Sequence, residues 1–439
     1  MIDDARWQYQ QAVDNSYEDW HPPLMAWVWR RLAFIVPGPA PMFVLQLLLY
    51  WAGIALIAWW AHRRGQRGLA VAIACAGWLP APLALTGTVV KDVLMAGLLL
   101  CATGLLLCRN SLRSEVVRIA VTAASILCLF AAAALRLNAV FACLPLLLVA
   151  LPAALSRTWP RLTASILAGA AAFLMIGPAV AALVQAEKTK VDLSLMIFDL
   201  GGITEHSGIS VFPDFGVHDP VAVNHRCYDP KQWDGYSTWA KRPCPLGFAR
   251  LDELVDEGDV SVTNLWLRAI AAHPLAYAEH RLDHFSRSTW FLVPSGPAFT
   301  AWSRSVPNPW GFQVRPNSLL SMVTGYADVA AATPLGWPIF WISLALAGLI
   351  VAFSVGMPPI IRAIAASAFL YGLSYLVVGV AIGIRYYFWT IAGAAIAVLA
   401  LAVELRSRRE RIPRRTLIVA AGVVALPTLM AVGARLTLP

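Results

Sequence analysis

Apolar runs of about twenty residues, separated by short arginine-bearing stretches, fill both ends of the chain and predict an all-α polytopic membrane protein. The runs place membrane helices near 40–61, 69–90, 93–108, 116–135, 139–155 and 163–184, then 335–356, 360–383, 386–405 and 416–434. The polar links between them alternate in charge. His62 to Gly68 carries Arg63, Arg64 and Arg67; Arg109 to Arg118 carries three arginines; Ser156 to Arg161 carries two; Arg406 to Arg415 carries six. Basic links are retained in the cytoplasm, so these four face inward. The other turns are short, hold Lys91-Asp92, Arg136 with Asn138, and Arg385 with Tyr386 and Tyr387, and face outward.

The segment 185–333 breaks the pattern. It has little continuous hydrophobicity, 16 acidic and 12 basic residues and six of the eight histidines, which predicts a folded outer domain of mixed or helical structure. Helices are expected over Thr263–Ala272 and Pro274–Trp290, the latter opening on a proline as a first helical turn allows. The resulting plan is an outer N-terminal loop with an interfacial amphipathic helix (1–38), a first bundle of six helices (39–184), the outer domain (185–333) and a second bundle of four (334–439). This topology puts the N-terminus outside, and an eleventh helix ahead of Met1 in the natural product would account for how it arrives there.

Composition narrows the function classes. With 59% hydrophobic and 13% charged residues the chain is neither disordered nor a soluble globule, and its net charge of +9 is a topological signal rather than a nucleic-acid footprint. Five of the seven cysteines lie in predicted spans; Cys227 and Cys244 alone fall in the outer domain, where an oxidising compartment would join them, the alternative being two buried thiols.

Ionisable groups are costly at membrane depth, roughly 2.5–3.5 kcal/mol each on insertion scales, and those that persist tend to line a cavity. Lys91, Asp92, Arg136 and Arg385 all fall at outward helix ends, whereas no charged residue sits mid-span except Arg362, close to an inner end. One outward-facing polar cavity ringed by helix ends explains this, against the plainer reading that such side chains snorkel to the interface. The N-terminal segment adds Asp3-Asp4-Ala5-Arg6-Trp7, then Trp20-His21-Pro22-Pro23-Leu24, then a Trp-rich amphipathic stretch. Paired carboxylates at a membrane surface bind a divalent cation or act as general base, or else are polar residues of a frayed terminus. On the helix 274–290, His280 and His284 share a face at a spacing compatible with zinc, though no third ligand is evident, and a polar face packed on the membrane surface is the alternative. The Tyr228-Asp229-Pro230 and Trp233-Asp234-Gly235-Tyr236 region has the make-up either of a sugar-binding surface or of a disulfide-closed loop.

Asp-Asp-Ala-Arg-Trp followed by Trp-His-Pro-Pro-Leu resembles the first outer loop of the GT-C glycosyltransferase superfamily, in its protein O-mannosyltransferase and lipid A aminoarabinose transferase branches. Lys91-Asp92, Arg136-Leu137-Asn138-Ala139 and Arg385-Tyr386-Tyr387 are similar to further features of that superfamily, as is the layout of many helices with one large outer domain. Two departures are plain: Asp4 stands where Glu is usual, and Trp20-His21 where the aminoarabinose transferases have Glu-Lys.

The resemblance implies hexosyl or pentosyl transfer from a polyprenyl-phosphate sugar donor to a lipid, glycan or protein acceptor, at the outer face of an inner membrane. It implies Asp3 as the base that takes the acceptor hydroxyl proton, with Asp4 or His21 orienting the acceptor or a metal. Arg385, Lys91 and Arg136 would hold the donor phosphate, Asp92 would hold Lys91, Asn138 would contact substrate and Tyr386 would stack on the sugar. A divalent metal ion is left open, and membrane lipids but no nucleic acid are expected as partners. Two readings from other classes stand beside this one: a transporter or lipid flippase, which needs a polar path through the midplane, and a scaffold, which needs Asp3 and Arg385 far apart.

Overall fold

A computed structural model describes residues 2–256, 258, 261–294 and 305–438. Among them the chain is helical throughout, with three isolated β-bridges and no strand. It is an integral membrane protein by its helices: seven are long and apolar enough to cross a bilayer, and an eighth span results if the bent pair Arg67–Ala76 and Pro80–Thr86 counts as one. The two remaining predicted spans are shorter apolar helices, Leu137–Ala150 and Pro338–Ser354. Prolines explain the shortening in the first, since Pro145 lies inside it and Pro152 follows it.

Two compact units divide the chain, and not at the predicted boundary. The first comprises Met1–Glu187, Gly296–Leu373 and Ile384–Gly433. Its centre is the helix Lys91–Arg109, almost wholly enclosed, against which Ala40–Arg63 packs at short range. Glycine makes that approach possible: a Cβ on Gly53 would meet Leu100 Cβ at 2.5 Å, and one on Gly104 would meet Leu56 Cβ at 2.6 Å. Around this pair, Glu115–Ala133, Trp159–Leu183 and Arg414–Thr437 turn apolar side chains outward, as lipid-facing helices do.

The span predicted as one helix over 69–90 is broken by 54° where Pro80 and Pro82 interrupt it. Backbone groups freed at membrane depth need partners, and two polar residues of the first span supply them. The Tyr50 hydroxyl donates to Gly77 O at 3.0 Å, and the Gln46 amide donates to Thr86 O at 3.2 Å and Thr88 O at 2.8 Å. The segment leading into Lys91 is thereby fixed to the first span. At the opposite end of the bundle Glu404 is buried, with its carboxylate 2.8 Å from Arg64 and 3.2 Å from Arg408.

Residues assigned from sequence to the outer domain also join this first unit. Trp310 and Phe312 set their rings 4.7 Å and 5.9 Å from that of Tyr9, and the helix Ser318–Ala331 packs on Pro80–Thr86. They do so because both surfaces are apolar, a pairing that no local pattern announces.

The second unit comprises Lys188–Ser295, Ser374–Gly383 and Ala434–Pro439. Its expected helices are present as Val262–Ala272 and Pro274–Thr289, packed with Leu193–Ser207. Cys227 and Cys244 form a disulfide with Cα atoms 5.9 Å apart. The core is ionic: Asp199, fully buried, lies 2.5 Å from Arg281 Nη2 and 3.2 Å from His280 Nε2, and accepts from the Trp266 indole at 2.8 Å. Burial alone would raise the Asp199 pKa, but Arg281 and His280, through charge and hydrogen bonds together, outweigh it and hold the carboxyl below its ordinary value. Removing one partner strands the other charge in the interior. Asp199→Ala should cost about 3–5 kcal/mol and open this unit to limited proteolysis, whereas Glu253→Ala, which breaks an exposed pair with Arg250 (2.8 Å), should leave the digestion pattern unchanged.

Candidate functional site

Asp3 and Asp4 open a helix, Asp3–Asp14, rather than lying in a loop. Successive helical side chains point about 100° apart, so the two carboxylates cannot serve one site. Asp4 turns inward and accepts from Arg385 Nη1 at 2.6 Å, in a pair whose side chains are 23% and 17% exposed. Asp3 turns outward, is 65% exposed and lies 3.4 Å from Arg6. Of the two aspartates expected in the site, the structure brings Asp4 to the cluster and leaves Asp3 at the surface, and the helix geometry is the reason.

The other cations gather from separate turns of the same unit. Lys91, first residue of the central helix, sets its ammonium 3.0 Å from His21 Nδ1. Arg136 pairs with the buried carboxylate of Asp92 and donates from Nε to Asn138 Oδ1 at 3.4 Å. Tyr386 stands between the arginines, with the Arg136 guanidinium 4.9 Å and the Arg385 guanidinium 5.0 Å from its ring centroid, and its hydroxyl accepts from Arg385 Nη2 at 3.2 Å. An aromatic face attracts each cation and so eases their mutual repulsion. Three contacts differ from those expected or were not foreseen. Asp92 pairs with Arg136, Lys91 meets His21, and Tyr386 carries both arginines against its ring.

Burial would raise the Asp4 pKa, but Arg385, His21 and Lys91 together drive it well below the usual carboxylate range, so Asp4 is ionised. Burial, and next the Lys91 charge, lower His21 to about 3, so its imidazole is neutral and Nδ1 accepts the Lys91 proton. Three cations against two carboxylates, with a neutral imidazole, leave the cluster at +1. A half-enclosed site with surplus positive charge is suited to an anion.

Beside it lies a mostly apolar cavity of about 320 Å³, walled by Ile2 and Ala5, on either side of Asp4 in the sequence, by Phe43, by Val89 two residues ahead of Lys91, and by Phe312 and Val314, with Thr88, Ser305 and Gln313 as its polar members. One polar residue near the cluster escaped notice in the sequence. Gln8, one turn on from Asp4 and on the same face, is 1% exposed and neither its side-chain nitrogen nor its oxygen has a hydrogen-bond partner. Its signal was periodicity: Asp4, Gln8 and Gln11 recur at i, i+4 and i+7, a polar stripe where a packed helix would be apolar. Gln46 had a signal too, as an amide in the middle of an apolar run.

The remaining candidates are structural. His280 accepts from the Tyr228 hydroxyl at 2.9 Å through Nδ1, and His284 Nδ1 donates to Pro230 O at 2.8 Å, so both rings are engaged in the second unit's core. Among the described residues no group of three or more His, Cys, Asp or Glu stands close enough to hold a metal ion. Trp233 and Tyr236 are buried, which makes that aromatic stretch the lining of a disulfide-closed loop rather than an open sugar-binding surface.

No protein-family model matches the chain, and no curated protein is significantly similar to it. Among solved structures the chain is similar to the crystal structure of ArnT from Cupriavidus metallidurans bound to undecaprenyl phosphate, at 15% identity and a TM-score of 0.33, over 92% of this chain and 72% of that one. A likeness this slight carries no weight for function, which the residues themselves must define.

The lowered His21 pKa has a measurable consequence. The unfolded chain binds a proton at this histidine below about pH 6.5, while the folded protein does not until about pH 3. Stability therefore falls as pH drops through that window, by roughly 1 kcal/mol per pH unit from this residue. His21→Gln keeps an acceptor for Lys91 and removes the titration, so its melting temperature in detergent should fall less between pH 7 and 5 than that of the wild type. Parallel curves would show that His21 is not held neutral in the folded protein.

Proposed function

We propose that the protein is a membrane glycosyltransferase that moves a sugar from a polyprenyl-phosphate donor to an acceptor hydroxyl at the outer membrane surface. The observation that carries this reading is the convergence of Asp4, Lys91, Asp92, Arg136 and Arg385, from four distant chain segments, into one cluster of net charge +1. The donor phosphate supplies the missing negative charge, and the neighbouring apolar cavity is of a size to take the first isoprene units while the rest of the tail stays in the bilayer. The sequence resemblance to GT-C enzymes points to the same chemistry.

In the reaction the acceptor oxygen attacks the anomeric carbon as its proton passes to Asp4, and the bond from that carbon to the phosphate oxygen breaks with its electron pair leaving on phosphate. Arg385 and Lys91, with Arg136 behind them, stabilise the charge that grows there; fixed donors do this better than water because they need no reorganisation. The base role passes from Asp3 to Asp4 on this reading. A carboxylate so strongly stabilised is a weak base, but a phosphate that shares Arg385 draws that charge away and raises the Asp4 proton affinity. Donor binding thus arms the base. Gln8, with its amide unpaired one turn away, would hydrogen-bond a sugar or acceptor hydroxyl. A transporter would instead place its polar groups near the midplane, where this chain has few.

Two results test the reading. Purified protein in nanodiscs, given a panel of radiolabelled polyprenyl-phosphate sugars and a membrane extract as acceptor, should transfer label from at least one donor; no transfer from any would overturn it. With an active donor, Asp4→Asn should lower kcat at least 100-fold while Asp3→Asn stays within about 3-fold of wild type. Comparable losses in both would refute the assignment of the base. Gln8→Ala should raise KM more than it lowers kcat, by about 10-fold, the loss expected for one buried hydrogen bond.

A further inference from the structure

A second cavity, of about 500 Å³, lies in the first unit between the helices Glu115–Ala133, Val140–Ala150 and Trp159–Leu183. Ile126, Phe130, Leu147, Leu151 and Leu155 give it apolar walls, and Gly169 forms part of its floor, with room lacking there for a Cβ, which would meet Leu144 and Leu147 side chains at 3.0 and 3.1 Å. Polar groups stand at one end only. Arg161 and Ser165 line the mouth, where the Ser165 hydroxyl donates to Leu155 O at 3.1 Å and Arg161 donates one N–H to Ala154 O at 3.4 Å, its guanidinium otherwise facing outward. From Arg161 to Gly169 is eight helical residues, about 12 Å, close to half of a bilayer's hydrocarbon thickness of about 30 Å. Phe130, packed on Phe173 with ring centroids 4.8 Å apart, stands at the far end.

The mouth is strongly basic. The two links on this face carry Arg109, Arg113, Arg118, Arg157 and Arg161 against a single acid, Glu115. Arg109 is occupied by carbonyls of Val149 and Ala150 at 3.3 Å, and Arg118 by Glu115, but Arg113, Arg157 and Arg161 are exposed. A groove one leaflet deep, apolar along its length and cationic at its opening, has the shape and charge of a phospholipid with an anionic headgroup.

We propose that this groove is a binding site for one anionic phospholipid of the basic-face leaflet, with an acyl chain along Leu147, Leu151 and Phe130 and its phosphate held by Arg161. The site lies apart from the Asp4–Arg385 cluster, and it stands whether or not the protein is a glycosyltransferase.

Delipidated protein in detergent, titrated with phosphatidylglycerol or with phosphatidylcholine of the same acyl chains, tests it by native mass spectrometry and melting temperature. Phosphatidylglycerol should be retained as one molecule per chain at least 5-fold better than phosphatidylcholine and should raise the melting temperature, while glycerol phosphate, which has the headgroup without the chains, should do neither. Arg161→Gln should abolish the preference with the lipid-free melting temperature unchanged, and Ala168→Phe, which fills the groove from an exposed position on its wall, should reduce retention of both lipids. Equal retention of the two lipids, an unaltered preference in Arg161→Gln, or a lipid-free dimer that Ala168→Phe dissociates would each overturn the proposal.

Discussion

The ion pair between Asp4 and Arg385 joins the beginning of the chain to its last quarter, and the candidate site is organised around it. An ion pair so enclosed is stable only if both charges are present and further partners complete them, because either one alone would carry an uncompensated desolvation cost. Tyr386 and the cation beyond it, Arg136, meet that requirement on one side. His21 and Lys91 meet it on the other. Each member is therefore placed by the others, which is why residues far apart in sequence form one cluster.

Positioning of the cluster depends on a break in the helix that precedes it. Were residues 69–90 a single straight span, Lys91 would emerge wherever that helix ended. Pro80 and Pro82 interrupt it, and Gln46 and Tyr50, buried in the first span, satisfy the backbone released by the interruption. Two polar side chains in an apolar helix are expensive to insert, and they are retained here where they secure the approach to Lys91. The glycine contacts that bring Lys91–Arg109 against Ala40–Arg63 serve the same end, since no rigid cluster could form at the tips of loosely packed helices.

Much of this was legible in the sequence because the bilayer imposes strong rules. Span positions followed from hydropathy, and the grouping of Lys91, Asp92, Arg136 and Arg385 at helix ends followed from where charge is tolerated. What escaped depended on angles and on pairings between distant segments. Asp3 and Asp4 looked equivalent as a pair and differ only by the 100° step of a helix that was read as a loop. Asp92 looked like the partner of its neighbour Lys91, yet adjacent helical side chains diverge, and it reached Arg136 instead. The division at 333 failed because Trp310 and Phe312 belong with Tyr9, an aromatic contact across 300 residues that composition does not reveal. His280 and His284 shared a face as expected, but which groups met that face was decided by Tyr228, Asp199 and Pro230 from other segments.

The resting charge of the cluster bears on how an enzyme of this kind would avoid wasteful chemistry. With Arg385 Nη1 paired to Asp4, the carboxylate would be too stabilised to deprotonate an acceptor hydroxyl, and on the proposed reading the surplus positive charge would draw in an anion first. Only a phosphate that takes a share of Arg385 weakens that hold. The order of events then follows from electrostatics alone: the acceptor is activated once the donor is in place, and a hydroxyl or water that reaches Asp4 in its absence meets a base too weak to act. One salt bridge, strong in the empty site and shared in the occupied one, would serve as both the phosphate sensor and the switch on the base.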